Sequence, residues 1–140
     1  MLLIKLIRDL GLENQVSIIN VPYEEMPGIY RKADIYVAPS KSTPTWQEQY
    51  NTTLLEAQAS GLPIVTTISG GIPENVGGAA ILVEPGNADK LAYAIKSLIL
   101  NPKMRSYLAE KARNRAVRVH DISHGAGKLT RVYNQLLSEK

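Results

Sequence analysis

The feature that most constrains this chain is a rhythm of short β-branched or apolar runs, each following a stretch with helical spacing. Leu3, Ile4, Ile7 and Leu10 recur at helical intervals until Gly11, and VSIIN, residues 16–20, follows. EEMPGIYRKA, with Pro27 near its start, precedes DIYVAPS, which Pro39 ends. NTTLLEAQAS, capped by Asn51 and closed by Gly61, precedes LPIVTT. A glycine-rich loop with room for one helical turn, SGGIPENVGG, precedes AAILV. Runs this short and apolar suit strands buried on both faces, and intervening helices make successive strands parallel. The pattern therefore predicts an α/β fold: a Rossmann-like parallel sheet of about four strands flanked by helices. After AAILV the strand pattern stops. Residues 89–100, 103–119 and about 122–137 read as helices, a helical C-terminal tail packed on the α/β layer.

The 140 residues have the length of one domain and show no repeat, low-complexity tract or linker. The pattern begins on a helix where a doubly wound sheet ordinarily has strands first. The expectation is thus a single domain over residues 1–140, incomplete on its N-terminal side. A hydrophobic share of 44% with 21% charged residues is that of a globular protein. Without cysteine there is no disulfide framework, thiol nucleophile or cysteine–zinc site. The 16 basic and 13 acidic residues leave a net charge of +3, spread too thinly to argue for nucleic acid as a partner. The basic run from Lys103 to Arg118 reads as a solvated helical face or as a patch for an anionic membrane. Lys5, Arg8 and Asp9 interrupt MLLIKLIRDLGL, which is an amphipathic helix and neither signal peptide nor membrane span. A cytoplasmic location is expected, with peripheral association at the inner face of the membrane left open.

In open α/β sheets ligands sit at the carboxyl ends of the strands, where the loops holding Glu48 and residues 68–74 should lie. The helix starting near Asn51 would turn its free N–H groups and positive dipole end to the same rim, which suits a phosphate or diphosphate. Glu48 precedes that helix and Glu56 lies about one turn inside it, at most about 12 Å apart if every step between them were helical. Carboxylates repel phosphates, so such a pair would serve hydroxyl-rich groups on either side of the anion. A nucleoside diphosphate sugar has that order: ribose, diphosphate, hexose. By spacing alone, the better reading is that Glu56 is an ordinary helical glutamate and Glu48 an ordinary loop glutamate.

The run EQYNTTLLEAQASGLPIV, Glu48 to Val65, resembles the E-x7-E signature of the retaining glycosyltransferases of family 4, or group 1, with the GT-B fold. The resemblance extends upstream through INVPYEEMPGIYRKADIYVAPS and downstream through SGGIPENVGGAAILVEPGNADKLAYAI, most of the chain. It implies that Glu48 faces the transferred sugar, as the catalytic acid of the signature, and that Glu56 accepts hydrogen bonds from the nucleotide ribose. The amides of Gln49, Tyr50, Asn51, Thr52 and Thr53 would approach sugar and phosphates. Asn51 stands where the family usually has glycine, and asparagine tolerates positive φ better than most residues. The loop from Asn20 to Tyr23 would hold the nucleobase, with Val21 as the contact.

The same resemblance implies no cofactor and no metal, the donor being a nucleoside diphosphate sugar such as UDP- or GDP-hexose. There is no Asp-x-Asp pair, and His120 and His124 read as structural or surface residues. The implied reaction moves a hexose to an acceptor hydroxyl with retention, the acceptor being a glycan, a lipid-linked sugar or a small molecule. Full members also have an N-terminal acceptor domain and an upstream basic pair on the diphosphate, neither of which occurs here. The expectation is a donor-binding part that is inactive without that domain. The alternatives are a noncatalytic nucleotide-sugar binding module, an inert fragment or, against the signature, a GT-B-like epimerase. Three further readings stay open: Gly70 and Gly71 as a rim turn, Glu74 as a cap of the short turn behind it, and Trp46 as pocket wall or packing.

Overall fold

The computed structural model describes residues 2–138. Its elements are α1 (Leu2–Asp9), α2 (Met26–Lys32), β1 (Tyr36–Ala38), α3 (Thr52–Ala59), β2 (Ile64–Thr67), α4 (Ile72–Val76), β3 (Ile81–Val83), α5 (Ala88–Leu100), α6 (Pro102–Arg115) and α7 (Ile122–Ser138). A 3₁₀ turn, Tyr23–Glu25, leads into α2, and a π-helical segment, Ala116–His120, follows α6.

The three strands form one parallel sheet in the order β1-β2-β3, with Val37 opposite Val65 and Thr66 opposite Leu82. All four residues of the central strand β2 are buried. Because side chains alternate across a strand, the apolar residues divide between two cores. Ile64 packs with Tyr30, Leu54, Ala57, Ile72 and Val76, joined by Tyr36, Ala38 and Leu82. Val65 and Val83 pack with Ala94, Leu98 and Leu108, joined by Val37, Ile81 and Met104. Helices thus cover both faces, as a parallel sheet requires. Helix α6 serves both, giving Ala112 to the first core and Leu108 to the second.

The sheet has three strands, not four. VSIIN makes no strand, and Val16, Ile18 and Ile19 are exposed. A β-branched run becomes a strand only beside a partner edge and under a covering layer, and this one has neither among the described residues. The helical expectation for the N-terminus holds, yet α1 buries none of its residues.

The basic run is also more than a solvated face. Arg105 donates to the carbonyls of Leu98 and Ile99 at 2.7 Å each, at the end of α5. Arg113 donates to Ala59 O at the end of α3 (2.5 Å), and Arg115 to Asn75 O (2.7 Å) and Glu74 O (2.5 Å) in α4. Each guanidinium meets carbonyls that a helix leaves without internal partners, at the negative end of its dipole.

Candidate functional site

The loops after β1 and β2 meet at the carboxyl end of the sheet, tied side by side. Thr67 Oγ1 donates to Ser40 O at 2.5 Å, and the Ser42 and Ser69 hydroxyls are 2.7 Å apart. Gly71 N donates to Glu48 O at 2.9 Å. A Cβ on Gly70, whose φ is +54°, would fall 1.8 Å from Glu48 O, and one on Gly71 would fall 2.0 Å from Gln49 O. The glycine pair is therefore both the strand-to-helix turn and the seat on which the Glu48 loop rests.

From that seat the chain enters α3 through Asn51, the one non-glycine residue of positive φ (49°) among the described residues. Its side-chain oxygen accepts from Leu54 N (3.3 Å) and Thr53 Oγ1 (2.7 Å), capping the helix. Tyr36 in turn donates to Thr53 Oγ1 at 2.7 Å. Glu48 reaches the same point, accepting from Asn51 N and Asn51 Nδ2 at 3.2 Å each. A carboxylate is thus fixed at the mouth of α3, where the first-turn amides of Thr52 and Thr53 belong to the group a helix leaves unpaired.

Glu56 lies one turn further in. Its two oxygens accept from Tyr23 (2.9 Å) and Tyr30 (2.8 Å), so both hydroxyls converge on one carboxylate. Each carboxylate oxygen retains capacity for another donor. The pairing raises the ionisation of both phenols: for Tyr23 chiefly through the Glu56 hydrogen bond, for Tyr30 first through burial and then through Glu56. Tyr36 is also raised, mainly by burial. Glu56, Tyr23, Tyr30, Met26, Arg31 and Arg113 line part of a cleft of about 480 Å³. Val21 is half-buried two residues before Tyr23, so the Asn20–Tyr23 loop runs into the tyrosine that touches Glu56.

The structure therefore brings Glu48, Tyr50, Asn51, Thr52, Thr53 and Glu56 to one rim. Trp46 closes a tight bridge with Thr43, is 51% exposed and does not line the Glu56 cleft. Glu74 sits in the first turn of α4, which has no side-chain cap, so the capping reading is not borne out. His120 hydrogen-bonds to Asn75 O and the Tyr50 hydroxyl, agreeing with the structural reading. Sequence reasoning missed Tyr23, Tyr30 and Asn75. The two tyrosines stand seven residues apart around a helical start, a detectable same-face signal. Asn75 gave none: it is buried within IPENV, accepts from Gln58 Nε2 at 2.8 Å and donates to Tyr50 O.

No group of three or more His, Asp or Glu side chains able to hold a metal ion occurs among the described residues. No described helix is long and apolar enough to cross a membrane.

The chain is similar to known proteins. The chain is 36% identical over 99 residues to the D-inositol 3-phosphate glycosyltransferase of Corynebacterium jeikeium (strain K411), a match covering 69% of this chain and 22% of that protein. It is 30% identical over 138 residues to the MMP alpha-(1->4)-mannosyltransferase of Mycolicibacterium hassiacum, covering 96% of this chain and 32% of that protein. Among solved structures, Anabaena HepE in complex with UDP superposes with a TM-score of 0.84 at 24% identity, over 95% of this chain and 36% of that one. The chain thus spans about a third or less of these relatives, and HepE bears on the fold. The family model described as glycosyl transferases group 1 matches residues 2–115, most of the sequence, and on that match the chain belongs to the group 1 glycosyl transferases.

Proposed function

We propose that this chain is the donor-binding part of a retaining, metal-independent glycosyltransferase of family 4 that takes a hexose from a nucleoside diphosphate sugar. The observation that carries the reading is the pair Glu48 and Glu56 on either side of the α3 N-terminus, each fixed by hydrogen bonds. In this reading the diphosphate lies at the mouth of α3, against the amides of Tyr50, Thr52 and Thr53 and beside Asn51, whose own amide is held by Glu48. Their preset N–H groups and the helix dipole stabilise the charge that grows as the anomeric carbon leaves the diphosphate oxygen. Glu48 faces the hexose. Glu56 accepts from the ribose hydroxyls, its remaining lone pairs standing beside the two tyrosines. Val21 contacts the base, largely through its backbone. The hexose passes to the acceptor hydroxyl with retention, by a covalent intermediate or by same-face attack within an ion pair: the bond from the anomeric carbon to the diphosphate breaks, the glycosidic bond forms, and the released diphosphate takes up the acceptor proton.

The UDP held by HepE and the glycosyl- and mannosyltransferase names of the relatives support a nucleotide-sugar donor. Those relatives are about three times as long as this chain, which supports a further domain that binds the acceptor. These 140 residues are accordingly expected not to transfer sugar by themselves, and turnover by the purified chain would refute that.

Ligand-observed NMR with UDP, GDP and ADP tests the donor site. One nucleotide should bind selectively, and Glu56→Ala should weaken it about tenfold or more, as expected for lost hydrogen bonds to a charged group. Binding unaffected by Glu56→Ala would sink the ribose assignment. Failure of all three nucleotides to bind would favour an inert chain.

A further inference from the structure

We infer that His120, near the C-terminal helix, is a positioning residue for the donor loop, acting through Tyr50. The inference rests on the donor-site reading above but concerns residues outside the two-glutamate signature. Its basis is a closed set of hydrogen bonds. Asn75 Nδ2 donates to Tyr50 O, His120 Nε2 bonds Asn75 O at 2.9 Å, and His120 Nδ1 bonds the Tyr50 hydroxyl at 3.2 Å. The two rings meet edge to face, with centroids 6.3 Å apart and planes at 83°.

The chemistry of the partners fixes the direction of each bond. A carbonyl only accepts, so the bond to Asn75 O places the proton on His120 Nε2. In the neutral ring Nδ1 then has a free lone pair, and the Tyr50 hydroxyl is the donor to it. The loop residue is thereby held at both ends, its carbonyl by Asn75 and its side chain by His120. Asn75 is itself immobilised: buried, bonded to Gln58, with Arg115 Nε on the same carbonyl at 2.7 Å. Tyr50 would otherwise be loosely held, for it is 52% exposed. It immediately precedes Asn51, whose positive φ aims the amides of residues 51–53. Fixing Tyr50 therefore fixes the direction from which the chain enters α3.

The assignment explains why a π-helical segment follows α6. His120 is its last residue, and the extra residue per turn re-aims the side chains that follow. The device links the π segment and the start of α7 to the donor loop.

Two conservative variants separate positioning from plain stability. His120→Gln keeps a donor near the Nε2 position for Asn75 O but moves its acceptor, the amide oxygen, off the Nδ1 position that meets Tyr50. Tyr50→Phe keeps the ring and removes only the hydroxyl. Both should leave Tm nearly unchanged, displace the backbone amide resonances of Asn51, Thr52 and Thr53, and weaken binding of the nucleotide selected among UDP, GDP and ADP about threefold to tenfold. The double variant should be no worse than the single ones. Side-chain ¹⁵N NMR, with His124→Gln for assignment, should show His120 as the Nε2–H tautomer. Unmoved loop amides in both variants, additive losses in the double variant, or an Nδ1–H tautomer would overturn the inference. If the wild-type chain binds no nucleotide while the loop amides still move with both variants, the donor-site reading fails and the positioning role stands.

Discussion

Glu56 accepts two phenolic hydroxyls and by the donor reading has capacity left for a ribose. The electrostatic consequence is measurable without any ligand. Tyr23 and Tyr30 ionise above the ordinary value of about 10. A neutral acid whose folded value is raised contributes stability in full below about pH 10 and loses it as pH climbs through the folded value. Glu56→Gln should therefore lower the alkaline ionisation of Tyr23 most, since the hydrogen bond is its main cause. Tyr30, raised first by burial, should move less and remain raised. Ultraviolet titration of the two proteins checks this, and identical alkaline curves would contradict it. Gly70 is the other decisive residue. Gly70→Ala puts a Cβ into Glu48 O at a φ of +54°, so it should cost about 2 kcal/mol or more in thermal or denaturant unfolding.

Helix α3 shows how one residue can meet two demands. Asn51 supplies the cap and the positive φ together. Asn51→Ala loses the cap and strains the backbone, an expected cost of about 2 kcal/mol. Asn51→Gly loses the cap but relaxes the backbone and should cost only a few tenths of that. Denaturant melts of the two variants distinguish the cases, and equal losses would contradict this account of the cap. The α3 boundaries were legible because Asn51 and Gly61 punctuate an apolar helical stretch. So were the β2 and β3 runs, which are β-branched, short and flanked by breakers. VSIIN has the same local look as those strands yet pairs with nothing, because strand formation is decided by a neighbour that no local pattern contains. The Glu48–Glu56 spacing was equally legible. The tyrosines on Glu56, the Asn75 anchor and the arginines on the ends of α3 and α4 were not, since they depend on contacts 17 to 54 residues apart in the chain.

Across the whole molecule, residues 2–19 contribute almost nothing to the core. Leu2, Leu3, Leu6, Leu10, Ile18 and Ile19 are each at least half exposed, and the two core clusters begin with Tyr30 and Val65. A chain beginning at Asn20 should therefore melt within about 2 °C of the full one and self-associate less, because an apolar patch has been removed. A large loss of Tm would show that this segment is structural. What remains is a three-stranded sheet with two cores, whose rim gathers the Glu48 loop, the α3 mouth and Glu56.

That rim is the central claim, and the most direct test is to map onto it, with backbone amide NMR, the one nucleotide that the chain selects among UDP, GDP and ADP. The account predicts that the largest shifts fall on Tyr50, Asn51, Thr52 and Thr53 and on Val21 and Tyr23, and that they shrink sharply in Glu56→Ala. Shifts centred instead on the cleft between Arg118 and Arg131, or unchanged in Glu56→Ala, would contradict it.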